Sequence, residues 1–155
     1  MRIACLLVSD LPLAAELRAH PELRGAPLAI ASGAGSRAEI LAISPEAARS
    51  GVRPFTTVVH GRAACAELCV RVASPALERA ARDALLDAAL STSPRAEAAP
   101  LGSGIYAAEA AVYIDARGVT SLFHSEAGFA GALIARAQNL GLPAVAAIAS
   151  SRGVA

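Results

Sequence analysis

Apolar residues recur along the chain with two spacings, which predict two kinds of element. Short apolar or alternating runs are typical of strands, whereas one apolar residue every three or four positions is typical of a helix. The first spacing predicts strands at residues 2–8, 28–31, 38–44, 69–74, 95–100, 109–115 and 144–149. In the strand 109–115, Val112 and Ile114 are expected to face the same side of a sheet.

Helices are predicted where a capping residue or a proline precedes a periodic stretch. A short helix is expected from Asp10 through Arg18, and a compact one in SPEAARSG, with Ser44 as its N-cap and Gly51 as its stop. Three more are expected at residues 61–68, 75–90 and 126–140. The last has an apolar stripe made of Phe129, Leu133, Ala137 and Leu140. LGSG, at residues 101–104, is predicted to be a turn.

The order of these elements predicts an α+β fold. When residues 12–68 are set aside, the rest reads strand, helix, strand, strand, helix, strand, which is the βαββαβ order of a ferredoxin-like sheet. Residues 12–68 contain a small hairpin and short helices and are predicted to be an insertion after the first strand. We therefore expect residues 1–11 and 69–155 to form one unit and residues 12–68 a second.

Composition and charge narrow the functions open to the chain. Its 155 residues are 55% hydrophobic, which is enough for a folded domain, but only 3% are aromatic and none is tryptophan. All 14 basic residues are arginines without a basic run, and the net charge is +1. Because nucleic-acid binding relies on basic surfaces and stacking aromatics, DNA binding by this segment is expected to be weak or absent.

The cysteines and the N-terminal apolar run bear on the cellular compartment and on metal binding. The first apolar run ends at Ser9 and Asp10, too short to span a membrane or direct export, so we expect a cytoplasmic protein without membrane contact. His60, Cys65 and Cys69 lie close in sequence, but a closed zinc site needs four ligands and no fourth is evident. We expect these two thiols to be buried and carried by a helix instead.

Four strings in the chain carry a resemblance to a known family. They are HPELRGAPLAI, SPEAARSGVRPFTTVVHGRAACAEL, YIDARGVTSLF and ARAQNLGLPAVAAIASSRGVA. In this order and spacing they resemble the N-terminal half of Y-family translesion DNA polymerases of the UmuC and DinB kind, and more closely the ImuB-type homologues. The resemblance implies that the ferredoxin-like unit is a palm and the insertion is a fingers region. It also leads us to expect that the thumb and little finger are absent.

The resemblance implies positions for the acids that hold catalytic metal ions. Nucleotidyl transfer uses two divalent cations, and Mg²⁺ is held by carboxylates together with substrate phosphates. With Glu16 as the anchor, the two acids of the first strand fall on Leu7 and Ser9. The Asp-Glu pair of the second strand falls on Ala110 and Ala111. None of these residues is acidic, so we expect no catalytic residues and no metal site.

The triphosphate site implied by the resemblance is also altered. Active members place a tyrosine and an arginine in the helix that SPEAARSG resembles, and these positions hold Pro45 and Ala48. Arg49, one residue away, could substitute in part. No nucleotide-binding residue is therefore assigned with certainty.

Three acids near the expected positions are candidates for a residual site. Asp115 follows Tyr113 as in the family, and we expect it to bond backbone or cap the turn at Gly118, with a residual metal contact as the alternative. Asp10 and Glu109 each lie one residue from an expected acid. A one-residue slip reverses the face of a strand side chain, so both would need compensating bulges.

The remaining polar residues are expected to serve the structure. His20 and His124 lie at predicted helix borders, and Arg117, Arg136 and Arg152 are expected to be surface charges. Arg152 lies where chains of this family approach the thumb, and it could touch DNA there.

Three functional hypotheses follow. The leading one is a catalytically inactive, ImuB-like homologue that acts as a scaffold in DNA damage tolerance and SOS mutagenesis. It would need no cofactor and would contact an error-prone polymerase, a sliding clamp or a recombinase-like accessory protein. The second is an active translesion polymerase fragment with displaced carboxylates and Mg²⁺. The third is a self-associating binding module unrelated to DNA.

Overall fold

The computed structural model describes residues 1–100 and 108–152 and contains two sheets with helices around them. The strands are β1 Ile3–Val8, β2 Leu28–Ala31, β3 Ile40–Ile43, β4 Cys69–Val72, β5 Ala96–Ala98, β6 Ala110–Asp115 and β7 Val145–Ala149. The helices are α1 Leu11–Ala19, α2 Pro45–Arg49, α3 Val58–Ala64, α4 Pro75–Leu90, α5 Val119–Phe123 and α6 Glu126–Asn139, with a 3₁₀ turn at Pro21–Leu23.

The larger sheet has four antiparallel strands in the order β5-β6-β1-β7. This is the strand order of a ferredoxin-like sheet, in which β6 lies between the parallel strands β1 and β5. Leu7 lies opposite Ala111 of β6 and Val145 of β7, and Ile3 lies opposite Asp115. The α+β, ferredoxin-like prediction is confirmed.

One face of this sheet is covered by α1, α4 and α6, and we call it the helix-covered face. Alternate residues of β1 and β6 point into this core, because successive side chains of a strand face opposite sides. The largest fully buried side chains in it are Leu6, Leu11, Leu85, Ile114, Phe129, Leu133 and Leu142. This packing positions the two central strands, whose other residues form the opposite face.

The smaller sheet has the strand order β3-β2-β4. Strands β2 and β3 form the predicted antiparallel hairpin, and β4 pairs with β2 in parallel. The buried Ser44 joins this hairpin to α2. Its hydroxyl accepts from the backbone N–H of Leu28 at 2.9 Å and of Ala47 at 3.3 Å, and it donates to the carbonyl of Ala26 at 3.0 Å. The predicted N-cap is therefore present.

The contacts of two elements bear on the expected division of the chain. Strand β4, which the predicted boundary places with the palm, belongs by hydrogen bonding to the smaller sheet. Helix α1, which the boundary places in the insertion, packs into the larger core through Leu11, Ala14 and Ala15. The division at residues 12–68 stays a prediction.

Several element bounds differ from the predicted ones for local reasons. Helix α3 spans residues 58–64 rather than 61–68, because the side chain of Thr57 caps it by accepting from the N–H of His60. Leu140 is 40% exposed and follows the end of α6, so it is not part of the buried stripe. Helix α5 was not predicted, and the predicted turn at 101–104 lies outside the described residues.

Among the helices in the described part of the chain, none is both long and apolar enough to cross a membrane.

Candidate functional site on the open face of the sheet

The second face of the four-stranded sheet carries the positions that the sequence singles out, and we call it the open face. Along β1 and β6 it consists of the residues that alternate with the core positions. They are Ile3, Cys5 and Leu7 of β1 and Ala111, Tyr113 and Asp115 of β6. On β7 the corresponding residues are Val145, Ala147 and Ala149. The chemistry of this face changes from one end to the other.

The first end of the open face is apolar. Leu7 and Ala111 lie directly opposite each other, and both are half-buried. Ala110 points into the helix-covered core and is 4% exposed, and Ser9 is exposed beyond the end of β1. Of the four positions that the resemblance assigns to acids, two therefore face each other on the open face. They hold only hydrocarbon side chains.

The two displaced acids lie just past this end. Glu109 precedes β6, and its carbonyl accepts a hydrogen bond from Nη1 of Arg82 at 3.3 Å. Asp10 is exposed at the N-terminus of α1, and its side chain makes no capping hydrogen bond. The register from Ile3–Asp115 to Val8–Ala110 is unbroken, so the paired residues contain no bulge that would turn either acid inward.

Asp115 lies at the other end of the strand pair and is engaged by two arginines. Arg117 donates from its backbone N–H and from Nε to Oδ1, both at 3.0 Å, and from Nη2 to Oδ2 at 2.6 Å. Nη1 of Arg95 donates to Oδ2 at 3.4 Å. These hydrogen bonds, mainly those from Arg117, hold the pKa of Asp115 far below its ordinary value.

The position of Asp115 separates it from the expected metal site. Asp115 lies four positions after Ala111 in the strand, a span of roughly 13 Å at the usual rise per residue. The backbone bond expected of Asp115 is present, and its donor is the N–H of Arg117. A carboxylate already holding two guanidinium groups, at the wrong end of the strand, is a poor ligand for a catalytic cation.

A third arginine reaches the same end from the far side of the sheet. Arg152 follows β7, yet its guanidinium lies 5.1 Å from the ring centroid of Tyr113 in β6 and forms an ion pair with Glu97 in β5. The side chain of Arg152 thus extends across this end of the open face. With Arg95 and Arg117, these residues line a cleft of about 290 Å³.

The expected nucleotide-binding positions lie on α2, next to the smaller sheet. Pro45 and Ala48 are exposed, and neither side chain can donate a hydrogen bond to a phosphate. Arg49 is also exposed, and its Nη2 donates to Glu46 Oε1 at 3.1 Å. The guanidinium of Arg49 is therefore paired within its own helix.

The residues present do not fit the metal ions that a nucleotidyl-transfer site would hold. Within residues 1–100 and 108–152, no group of three or more His, Cys, Asp or Glu side chains could hold a metal ion. His60 is hydrogen-bonded through Nδ1 to the hydroxyl of Thr57 at 2.9 Å. Leu7, Ala110 and Ala111 offer no oxygen ligand from their side chains.

One polar cluster around a buried carboxylate was not predicted from the sequence. Glu16, 4% exposed on α1, accepts a hydrogen bond from Nε of Arg71 on β4 at 2.7 Å, and this bond raises the pKa of Arg71. His20, which ends α1 as predicted, lies 3.7 Å from Glu16. The signal in the sequence is a single arginine in the apolar run CVRV. The pair joins α1 to the smaller sheet.

Solved structures of Y-family DNA polymerases share this fold. An insertion ternary complex of Dbh DNA polymerase superposes with a TM-score of 0.74 at 14% identity, covering 98% of this chain and 43% of that chain. A post-insertion binary complex of Dbh gives 0.73 at 11% identity, covering 100% and 44%. DinB from Sulfolobus solfataricus gives 0.64 at 15% identity, covering 99% and 43%. These likenesses establish the class of fold.

A family model then assigns the chain itself. The model of the impB/mucB/samB family matches residues 10–155, so the chain belongs to that family. The predicted relation to UmuC-like and DinB-like polymerases is thereby confirmed. None of the curated proteins compared with the chain matches it. The chain spans about 43% of the length of the Dbh polymerase that it matches.

Proposed function

We propose that this chain is a catalytically inactive, ImuB-like homologue of Y-family DNA polymerases that acts as a scaffold in DNA damage tolerance and induced mutagenesis. The observation that carries the proposal is the direct pairing of Leu7 with Ala111 on the open face. In a polymerase of this fold, the two central strands would present metal-binding carboxylates here. This chain presents a leucine and an alanine.

The chemistry of nucleotidyl transfer explains why this change supports inactivity. Two metal ions stabilise the attacking and leaving oxygens, and hard cations such as Mg²⁺ need oxygen ligands. Leu7 and Ala111 provide none, and Asp115 at the far end of the pair is held by Arg117 and Arg95. Membership of the family together with loss of these ligands favours a role in which the fold is kept for binding.

The partners that we propose belong to the same process. They are an error-prone polymerase, a sliding clamp or a recombinase-like accessory protein. The net charge of +1 and the 3% aromatic content favour protein partners over direct binding to DNA.

Primer extension tests the loss of catalysis. The full chain is incubated with a primed template, all four deoxynucleotides and either Mg²⁺ or Mn²⁺, with Dbh DNA polymerase as the positive control. We expect no product above the level without protein. If the chain extends the primer, and Asp10→Ala or Glu109→Ala abolishes extension, it is instead an active polymerase that uses displaced carboxylates and Mg²⁺.

Affinity capture tests the scaffold role. The tagged chain is used to capture proteins from a lysate of its own cells after DNA damage, and the retained proteins are identified by mass spectrometry. Recovery of a polymerase, a clamp or a recombinase-like protein is the expected result. Recovery of only the chain itself, as a defined oligomer, would favour a self-associating module and overturn the scaffold role.

A further inference from the structure

The open face combines an apolar strip with an arginine cluster. The apolar strip consists of Leu7, Ala111, Val145 and Ala147, which come from three neighbouring strands. Val145 is 62% exposed, Ala147 is exposed, and Leu7 and Ala111 are half-buried. This strip includes the place where carboxylates would lie in a polymerase, and it can now bury apolar side chains of a ligand.

The arginine cluster consists of Arg95, Arg117 and Arg152 at the opposite end of the same face. Asp115 fixes the positions of two of them, and Arg152 is held against Tyr113. Their side chains remain 72%, 60% and 54% exposed. Guanidinium groups that are held in place but still exposed can donate to a carboxylate with less loss of conformational freedom.

The strip and the cluster lie along one line of the sheet. The strip centres on the Leu7–Ala111 pair and the cluster surrounds the Ile3–Asp115 pair, four residues further along the same two strands. This separation is roughly 13 Å. A single extended segment of four to five residues would therefore reach from one to the other.

The charges on this face favour an acidic protein segment over nucleic acid. Three arginines face the two carboxylates of Asp115 and Glu97, which leaves a surplus of one positive charge. A phosphate backbone carries charge along its whole length, and the apolar strip of Leu7, Ala111, Val145 and Ala147 offers it no side-chain donor. A protein segment with apolar residues at one end and acidic residues at the other complements both parts.

We propose that the open face binds a segment of a partner protein that is apolar at one end and acidic at the other. Its apolar side chains pack on Leu7, Ala111, Val145 and Ala147, and its carboxylates accept hydrogen bonds from the arginine cluster. This proposal rests on the scaffold function and specifies the surface and the kind of partner that the scaffold would use.

The test uses the full chain and three fluorescent probes. The first is a 12-residue peptide with two leucines followed, five residues later, by two aspartates. The second has lysines in place of the aspartates, and the third is a single-stranded oligonucleotide of 12 thymidines. We expect the aspartate peptide to bind at least tenfold more tightly than either of the others, with an affinity that falls as salt rises.

Variants locate the binding surface. We expect Leu7→Asp, and separately the double change Arg95→Ala with Arg117→Ala, to lower the affinity for the aspartate peptide at least tenfold. Arg136→Ala is the matched control, since Arg136 lies on α6 and donates to Ser91 at 2.8 Å. Circular dichroism and urea midpoints show whether each variant is folded. If the Leu7→Asp variant is not folded, Val145→Asp takes its place, because Val145 is exposed on the same strip.

Three results would overturn this proposal. They are no binding of the aspartate peptide, equal binding of the lysine peptide or the oligonucleotide, and unchanged binding by all folded open-face variants. Its failure differs from failure of the scaffold role. If the Leu7→Asp variant still captures replication proteins from lysate at the level of the unmodified chain, the scaffold stands and its docking surface lies elsewhere.

Discussion

The two faces of the four-stranded sheet are built from the same strands but are under different constraints. Leu6 and Leu7 are neighbours in β1, yet Leu6 is fully buried against the helices whereas Leu7 is half-buried on the open face. A core residue must match the volume of its neighbours, which here include Phe129 and Leu133. The half-buried Leu7 has no such requirement, so the polarity of this position can change while the fold is kept.

This difference explains how the fold and the catalytic groups can separate. The chain superposes on Dbh polymerase with a TM-score of 0.74 at only 14% identity. A core keeps its fold when the apolar pattern and total volume are kept, even if individual residues change. The acids that the resemblance implies would lie mostly outside that core, so residues such as Leu7 and Ala111 can occupy those positions while the packing is kept. The fold is therefore weak evidence for catalysis.

The largest expected effect comes from comparing a leucine-to-alanine substitution on one face with the same substitution on the other. Leu6→Ala removes a fully buried side chain and should lower the free energy of unfolding by roughly 3 kcal/mol. Leu7→Ala removes a half-buried side chain and should lower the free energy of unfolding by no more than about 1 kcal/mol. Urea unfolding followed by circular dichroism measures both. Equal losses would mean that the open face is packed as tightly as the core.

Cysteine labelling gives a second test, because one thiol lies on the open face in a sheltered position. Cys5 is 8% exposed, and burial raises the pKa of its thiol, whereas Cys69 on β4 is partly exposed. Thiolate is the reactive form, so we expect iodoacetamide to modify Cys5 about tenfold more slowly than Cys69 at pH 8. Mass spectrometry of the digest gives both rates. A faster Cys5 would show that the middle of the open face is more accessible than the structure has it.

The core and its strands could be predicted from the sequence because their signals are local. Alternation along β6 predicted that Val112 and Ile114 face the same side of the sheet, and both are buried in the core. Ser74 with Pro75 marked the start of α4, where Ser74 caps the helix by accepting from the N–H of Leu77. The sheet to which β4 belongs could not be read in this way. Its partner β2 is about 40 residues earlier, and strand propensity carries no information on pairing.

The open face was predictable only in part, for the same reason. The resemblance places two expected acids at Leu7 and Ala111, and this assignment stays a prediction. The hydrogen bond from Arg95 to Asp115 could not be predicted, since the two residues are 20 positions apart and meet only because β5 pairs with β6. The contact of Arg152 with Tyr113 likewise depends on the path of the chain after β7.

A smaller effect is expected from Asp115→Asn, which tests the ionic end of the open face. The pKa of Asp115 is lowered by Arg117, so its contribution to stability is present above the ordinary aspartate pKa of about 3.9 and is lost as pH falls below it. We expect the variant to be less stable than the unmodified chain at pH 7, and the difference to begin to shrink below about pH 4 and to go on shrinking as the pH is lowered further.

Urea midpoints measured at several pH values follow this difference. Glu126, whose pKa is lowered by Arg2, titrates in both proteins and therefore cancels in the comparison. A constant difference between the two proteins at all pH values would contradict the ionic role of Asp115. It would indicate that the asparagine disturbs the turn at Gly118 instead.

The smallest effect is expected from Arg152→Ala, which tests whether the contacts of Arg152 across the open face stabilise the fold. Arg152 contacts Tyr113 and Glu97, but its side chain is 54% exposed, so solvent weakens both interactions. We expect the free energy of unfolding in urea to fall by about 0.5–1 kcal/mol at low salt, and by less at high salt.

Arg152→Lys is the matched control, because lysine keeps the charge near Glu97 but loses the planar group over the ring. A loss of similar size in both variants would assign the effect to stacking, whereas a loss only in Arg152→Ala would assign it to charge. No loss in either would mean that the contacts of Arg152 do not stabilise this end, and that only Arg95 and Arg117 are held in place there, by Asp115.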